Sequence, residues 1–398
     1  MNSWECRPIG DLIKTTKTWN PLRAGSDETF QYIDLSAVDQ DKKEIVGIRE
    51  VACCEAPSRA RQLVETNDVL VSTVRPNLNG VAKITADLSD ATASTGFCVL
   101  RPITNVLDSN YLFHWVKSPQ FVSDMVKKAT GASYPAVSVR IVLASSIPYP
   151  PIPEQCRIAA ILDEADALRE KRREALAQLD SFTQSIFIEM FGDPVTNSKA
   201  WPESTTLGEV AQIVSGITKG RNLNGKTART IPYLAVANVQ DKALNLSTVK
   251  EIDATEDEIQ RYLLKKNDLL LTEGGDPDKL GRGTLWNDEL LECIHQNHIF
   301  RVRLITENIT PLFLNWLVGS QRGKKYFLRS AKQTTGIASI NVTQLRGFPL
   351  LLPPMELQQD FIRVAGVIES QQIIQRRALS ELDALFASLQ HRAFRGEL

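Results

Sequence analysis

The sequence predicts an α+β fold: two similar mixed α/β globular units joined by two long antiparallel coiled-coil helices, pseudo-twofold symmetric within one chain. Three observations predict it. The second half of the chain repeats the first at an offset of about 200 residues; each half closes on a long heptad-like apolar pattern; and the segments before those patterns mix short β-branched runs with short helical ones.

The repeat is an ordered ladder of matches. Trp4 and then Ile9-Gly10-Asp11-Leu12 answer Trp201 and then Leu207-Gly208-Glu209-Val210. "YIDLSAV" (32–38) answers "YLAVANV" (233–239), "NDVLV" (67–71) answers "NDLLL" (267–271), and "LFHWV" (112–116) answers "FLNWL" (313–317). Thr130-Gly131 answers Thr335-Gly336, and from Pro150-Pro151 and Pro353-Pro354 onward the two copies run without gaps. A period this long is a duplicated domain, not a solenoid. It divides the chain into a globular unit over 1–150, a central helix over 151–194, a second unit over 195–352 and a C-terminal helix over 353–398.

Within the units, "GFCVLRPI" (96–103) and "HIFRVRLI" (298–305) read as strands bounded by turn residues. The segments around Trp115 and Trp316 read as helices, starting after the N-cap Asp108-Ser109 and after Thr310-Pro311, with proline at N1. The central helix starts at "PPIPEQ" (150–155) and stops at "MFGDP" (190–194), where Gly192 caps and Pro194 terminates. Its apolar residues, among them Ile158, Ile161, Leu168, Leu179 and Phe182, alternate steps of three and four. The C-terminal helix offers Phe361, Val364, Ile368, Leu382 and Leu385 to the same seam. Arg172 interrupts one pattern and Gln371 and Gln375 the other; they either face one another and set register or sit at a solvated edge. A short connector leads from the central helix into the second unit, so the two long helices are expected to run antiparallel.

Composition excludes several classes. The chain has 398 residues, 43% hydrophobic and 23% charged, which suits a globular protein of more than one domain. There is neither a membrane-length apolar run nor a signal-peptide pattern at the start, so a cytoplasmic location is expected and a membrane partner is not. The six cysteines form no C-x-x-C pair and are read as reduced thiols; no metal site is expected. His295 and His298 read as a strand-borne structural pair. Net charge is −1, so any attraction for phosphate comes from local patches.

"GRNLNGKT" (220–227) matches the phosphate-cradling pattern G-x-x-x-x-G-K-[ST]. A working P-loop opens a helix, whereas the residues that follow, "ARTIPYLAVANV", read as a strand. A P-loop NTPase is therefore the alternative from another class, and a coiled-coil adaptor without DNA contact a third. No adenine-methyltransferase tetrapeptide, cofactor loop or nuclease acid cluster is present, so no catalytic site is expected in this chain.

Four stretches carry a family likeness: residues 150–194 from "PPIPEQCRIAAILDEADALREKRREALAQLDSF" to "FGDP", "WPESTTLGEV" (201–210), "LPPMELQQDF" (352–361) and the closing "AFRGEL" (393–398). With them the chain resembles, over essentially its whole length, the specificity (S) subunits of type I restriction-modification enzymes. The resemblance implies two target recognition domains, each reading one part of a split, asymmetric sequence in double-stranded DNA, with the paired helices as a ruler. It implies two adenine methyltransferase (M) subunits and two restriction/translocase (R) subunits as partners. S-adenosylmethionine, ATP and Mg²⁺ would belong to those partners, with no cofactor in this chain. A methylation-only or related system of the same architecture is the alternative.

Candidate DNA-binding residues follow from chemistry. "GITKGRNLNGK" (216–226) places Thr218, Lys219, Arg221, Asn222 and Lys226 on glycine-rich backbone that can approach phosphates and base edges. Its counterpart, "KTTKTWNPLR" (14–23), offers Lys14, Thr15, Lys17 and Arg23. "TGASYPAVS" (130–138) and "TTGIASINV" (334–342) follow basic helix ends and offer Thr130, Ser133, Tyr134, Thr334, Thr335, Ser339 and Asn341. Arg75 and Arg282 complete the set. The competing role for each is that of an ordinary solvated loop.

Overall fold

Both copies of the Asn-Asp dipeptide start a strand, and they do so with the same bonds. The structure is a computed structural model that describes residues 4–25, 28–223, 225–276, 279–334 and 337–398. Asn67 and Asn267 take left-handed backbone conformations with φ of 72° and 71°, which asparagine tolerates better than most residues. Asp68 and Asp268, each 1% exposed, accept a backbone N–H three residues upstream, from Glu65 at 2.8 Å and from Lys265 at 2.7 Å. Each carboxylate is then gripped twice by an arginine on the neighbouring strand: Arg101 at 2.9 and 2.8 Å, Arg303 at 2.7 and 2.6 Å. A buried carboxylate tolerates its desolvation only with such partners. The repeated "ND" is this turn and fork.

The chain divides into two compact units, Met1–Glu174 with Gln375–Leu398, and Ala175–Ile374. In the first, one sheet runs in the order Ile13–Lys14, Phe97–Pro102, Val69–Ser72, Val81–Lys83. A second sheet runs Arg49–Ala52, Thr29–Ile33, Thr92–Ser94, Ala60–Leu63. The second unit repeats the first of these sheets with Ala211–Ser215, Ile299–Leu304, Leu269–Thr272 and Gly283–Leu285. It repeats the other with Lys250–Ala254, Arg229–Leu234 and Ile294–His295, and here Ile217 bridges Gln296 on the side that Ala60–Leu63 covers in the first unit.

The helices around the two tryptophans run Ser109–Lys117 and Pro311–Gly319, capped by Asp108 and Thr310 as the sequence predicts. Each cap is locked to the following long helix by a glutamine that is fully buried. Gln155 accepts from the Asp108 N–H at 2.9 Å and donates to the Pro150 and Val106 carbonyls; Gln358 accepts from Thr310 at 2.8 Å and donates to Pro353 and Asn308. A buried amide needs all of those bonds, which accounts for a glutamine at the same place in "PPIPEQ" and "PPMELQ".

The long helices run Ile152–Phe191 and Met355–Ala393, and each unit contains half of both. Gly192, with φ of 79°, ends the first as the C-cap expected there. Within each unit the halves are antiparallel. In the first, Arg169 binds Asp383 at 2.6 Å and Arg172 donates to Gln375 at 2.6 Å, the first of the two arrangements open to that polar intruder, at an exposed place. In the second, Gln372 donates to Asp180 at 2.7 Å.

The expected seam needs correction. Ile158, Phe361 and Ile368 are buried and Ile161, Leu179 and Leu382 half-buried, but Leu168, Phe182, Val364 and Leu385 are exposed. The reason is that each helix half packs on its own globular unit as well as on the other helix. Ile158, Leu162, Phe386 and Phe394 join Tyr111 and Trp115 in the first unit's core. Phe187, Phe191, Phe361 and Ala365 join Phe313 and Trp316 in the second. Burial follows the stripe facing the globular unit, roughly one residue around the helix, about 100°, from the stripe read off the sequence.

Candidate nucleic-acid interface

In the first unit, the loop 72–80 and the loop 130–137 form one surface. Val74 and Thr130 both bridge Ala136, and the Arg75 N–H donates to the Pro135 carbonyl at 2.7 Å. The Arg75 guanidinium lies 4.7 Å from the centre of the Tyr134 ring, which is 68% exposed. Arg75, Thr130, Ser133 and Tyr134, which the sequence offers from separate segments, are thus brought together. A stacked arginine ringed by small hydroxyls can bind phosphate oxygens in a fixed geometry. Lys14, Thr15, Lys17 and Arg23 are exposed; Lys14 pairs with Arg101, and Lys17 and Trp19 are bonded through the backbone to strand Ala60–Leu63. Lys14, Lys17 and Arg23 enter no ion pair among the described residues.

In the second unit the "GITKGRNLNGK" loop is divided in role. Arg221 is bound to both oxygens of Glu258 at 2.6 and 2.8 Å and to the Asp253 carbonyl at 2.7 Å. That bond, above all, holds the Glu258 carboxyl down at about 2. Arg221 is therefore an anchor of the loop and not a free phosphate ligand, which corrects the expectation for it. Thr218, Lys219, Asn222 and Lys226 are exposed, the Lys219 ammonium 5.2 Å from the Tyr233 ring centre; Asn224 lies outside the described residues. Lys226 lines an open recess of about 470 Å³ shared with Glu256 and Asp257. The chain then enters strand Arg229–Leu234, so the P-loop letters do not open a helix as a working P-loop does.

Arg282 is half-buried, its Nη1 3.3 Å from the Gln240 side-chain oxygen, and Ser339 is a half-buried strand residue opposite Gly274. Asn341 needs correction. Its side chain accepts from the Gln344 N–H at 2.9 Å while Gln344 returns the bond at 2.8 Å, a capping box for helix Val342–Arg346. Thr335 and the side chain of Thr334 lie outside the described residues.

Sequence reasoning missed the turn 295–298. His295 is fully buried and its Nδ1 donates to the Ile299 carbonyl at 2.9 Å, so the structural reading holds for it. His298 is exposed and its Nδ1 is bonded to Glu273. The signal lay in the repeat: at these places the first copy has Ser94-Thr95-Gly96 and the second Gln296-Asn297-His298.

Burial pushes the His295 imidazole down to about 3. The unfolded chain takes up a proton below about pH 6.5 while the folded one holds none until about 3, so stability is lost as pH falls through that window, by up to about 1.4 kcal/mol per unit. His295→Asn is expected to flatten the slope of melting temperature against pH between 6 and 4. A variant curve parallel to the native one would overturn this assignment.

The comparisons with known proteins agree with this geometry. The type I restriction modification DNA specificity domain matches residues 1–178 and again 200–381. The chain belongs to that family. The specificity subunit of the type I restriction enzyme StySPI from Salmonella potsdam is 27% identical over 323 residues, 76% of this chain and 68% of that one. The EcoKI specificity subunit of Escherichia coli K12 is 24% identical over 327 residues, with the same coverage. A chain from a structure of a type I R-M system, solved for its complex assembly and conformational transition, aligns over 100% of this chain and 99% of its own with a TM-score of 0.61 at 23% identity. The type I restriction-modification S subunit of M. genitalium aligns over 98% and 96% with a TM-score of 0.53 at 15% identity. These likenesses show the fold. The specificity-domain match falls once on each half of the repeat, so the chain is a DNA sequence-specificity subunit of the type I restriction-modification class. No helix among the described residues is long and apolar enough to cross a membrane.

Proposed function

We propose that this specificity subunit reads a split, asymmetric target in duplex DNA, one half with each unit, and docks two adenine methyltransferase subunits and two restriction/translocase subunits. The chain brings no catalytic residues, and S-adenosylmethionine, ATP and Mg²⁺ act in its partners. The observation that carries the reading is that two units built on one frame bear different exposed loops: Arg75 with Tyr134 in the first, Lys219 with the 295–298 turn in the second. A shared frame with different side chains is what two different half-sites demand, because base edges, unlike phosphates, must be matched individually.

Docking is supported by an apolar stripe on the second unit's half of the C-terminal helix. Val364, Val367 and Ile374 are exposed and follow steps of three and seven along one face. Apolar side chains at that spacing suit a further helix.

The test is a genome-wide map of adenine methylation in the host with and without this gene. One split motif should lose its methyl groups when the gene is absent. A map that does not change would overturn the proposal.

A further inference from the structure

The two units share a set of backbone bonds around one turn. In the first, Thr73 N–H donates to the Gly96 carbonyl and Val137 N–H to the Thr73 carbonyl, both at 2.9 Å; in the second, Glu273 N–H donates to His298 and Ile340 N–H to Glu273, also both at 2.9 Å. The strands leading in are also equivalent, Thr92 pairing with Tyr32 and Ile294 with Tyr233, each in parallel.

On that frame the side chains differ. The first unit's turn is closed: Ser94 is buried and accepts from the Gly96 N–H, and a Cβ on Gly96 would meet Leu35 at 2.9 Å. The second unit's turn presents Gln296 and Asn297, half-buried, and His298, exposed. Neither amide side chain is hydrogen-bonded to a described residue, while the backbone beneath them is tied down by hydrogen bonds. Gln296 N–H donates to Leu234 at 3.0 Å, Asn297 N–H to Ile217 at 3.0 Å, and the His295 carbonyl accepts from Ile217 at 2.8 Å. Gly216 makes this approach possible, because a Cβ there would stand 1.9 Å from the His295 oxygen. The amides are thus held on a rigid support with their own bonds unmade, which is how a recognition element avoids the entropic cost of ordering on binding.

We infer that the 296–298 turn is the base-reading element of the second unit, with Gln296 and Asn297 reading an adenine in the half-site it faces. The inference rests on the DNA-reading function proposed above. An amide presents a donor NH2 beside an acceptor carbonyl, and in the major groove only adenine offers the matching N7 acceptor beside an N6 donor. Glu273 fixes the imidazole of His298: with Nδ1 donating to the carboxylate, Nε2 is left as an acceptor for a base amine. Thr218 and Lys219, next along the segment that bridges Gln296, supply the phosphate contacts that position without specifying.

The experiment maps methylation in hosts carrying the native subunit, Gln296→Ala or Asn297→Ala, each expressed with its partner subunits. At least one variant should accept other bases at an adenine position, with discrimination there falling tenfold or more; both should leave the other half of the split motif unchanged. If both keep every position of the native motif, the inference fails while the DNA-reading function stands. A native host without a split motif would instead remove that function. Should a variant methylate nothing, the purified complex is assayed for binding to the native target and its single-base variants. Relaxed selectivity at one position supports the inference, and native selectivity overturns it.

Discussion

Asp268→Ala is expected to destabilise the second unit by about 3–5 kcal/mol, as breaking a buried ion pair does elsewhere. The carboxylate is 1% exposed and holds two bonds from Arg303 and the N–H of Lys265. Its loss leaves the Arg303 cation with only the Leu263 carbonyl, and the Lys265 N–H without its acceptor, at the foot of the central strand Leu269–Thr272. Asp68→Ala should cost the first unit less, because Arg101 keeps its ion pair with Glu65. Chemical denaturation of the single and double variants checks this. Losses under 1 kcal/mol would show that the fork is ornamental, and the repeated "ND" would need another explanation.

Val367→Asp combined with Ile374→Asp is expected to abolish methyltransferase docking, lowering methylation of the target at least tenfold. Both side chains are more than half exposed, at 65% and 56%, so the fold should be undisturbed. Buried in a helix interface, each new carboxylate would be an unpaired charge, at a cost of several kcal/mol. Copurification of the methyltransferase with the variant, alongside its melting temperature, is the measurement. A complex of native yield from a subunit of native stability would exclude this stripe as the docking surface.

What was legible in the sequence was local or repeated. Asp108, Thr310 and Gly192 mark helix ends because caps act on backbone groups within one turn of themselves. The duplication was legible because both copies solve the same local problems: the Asn-Asp turn, the buried glutamine after the proline pair, the helix around the tryptophan. The coiled-coil seam was legible only as a period. Steps of three and four are the same whether a stripe meets a partner helix, a globular unit or solvent, and here Leu168, Phe182, Val364 and Leu385 fell on the exposed side.

The candidate interface shows the same division. Arg221 looks like a phosphate ligand until Glu258, 37 residues away, takes its Nε and Nη2. The "GRNLNGKT" letters fit a P-loop, yet a strand follows where a P-loop opens its helix. Gln296 and Asn297 carry no local signal, since an exposed amide in a turn is ordinary in any sequence.

The sequence by itself determined the duplication, the ends of the helices and the family, because backbone capping and a repeated pattern depend on near neighbours in the chain. Only the tertiary structure decided which helix stripe is buried, which arginines remain free, and which turn presents unbonded amides, because each depends on what packs against a side chain from far along the sequence.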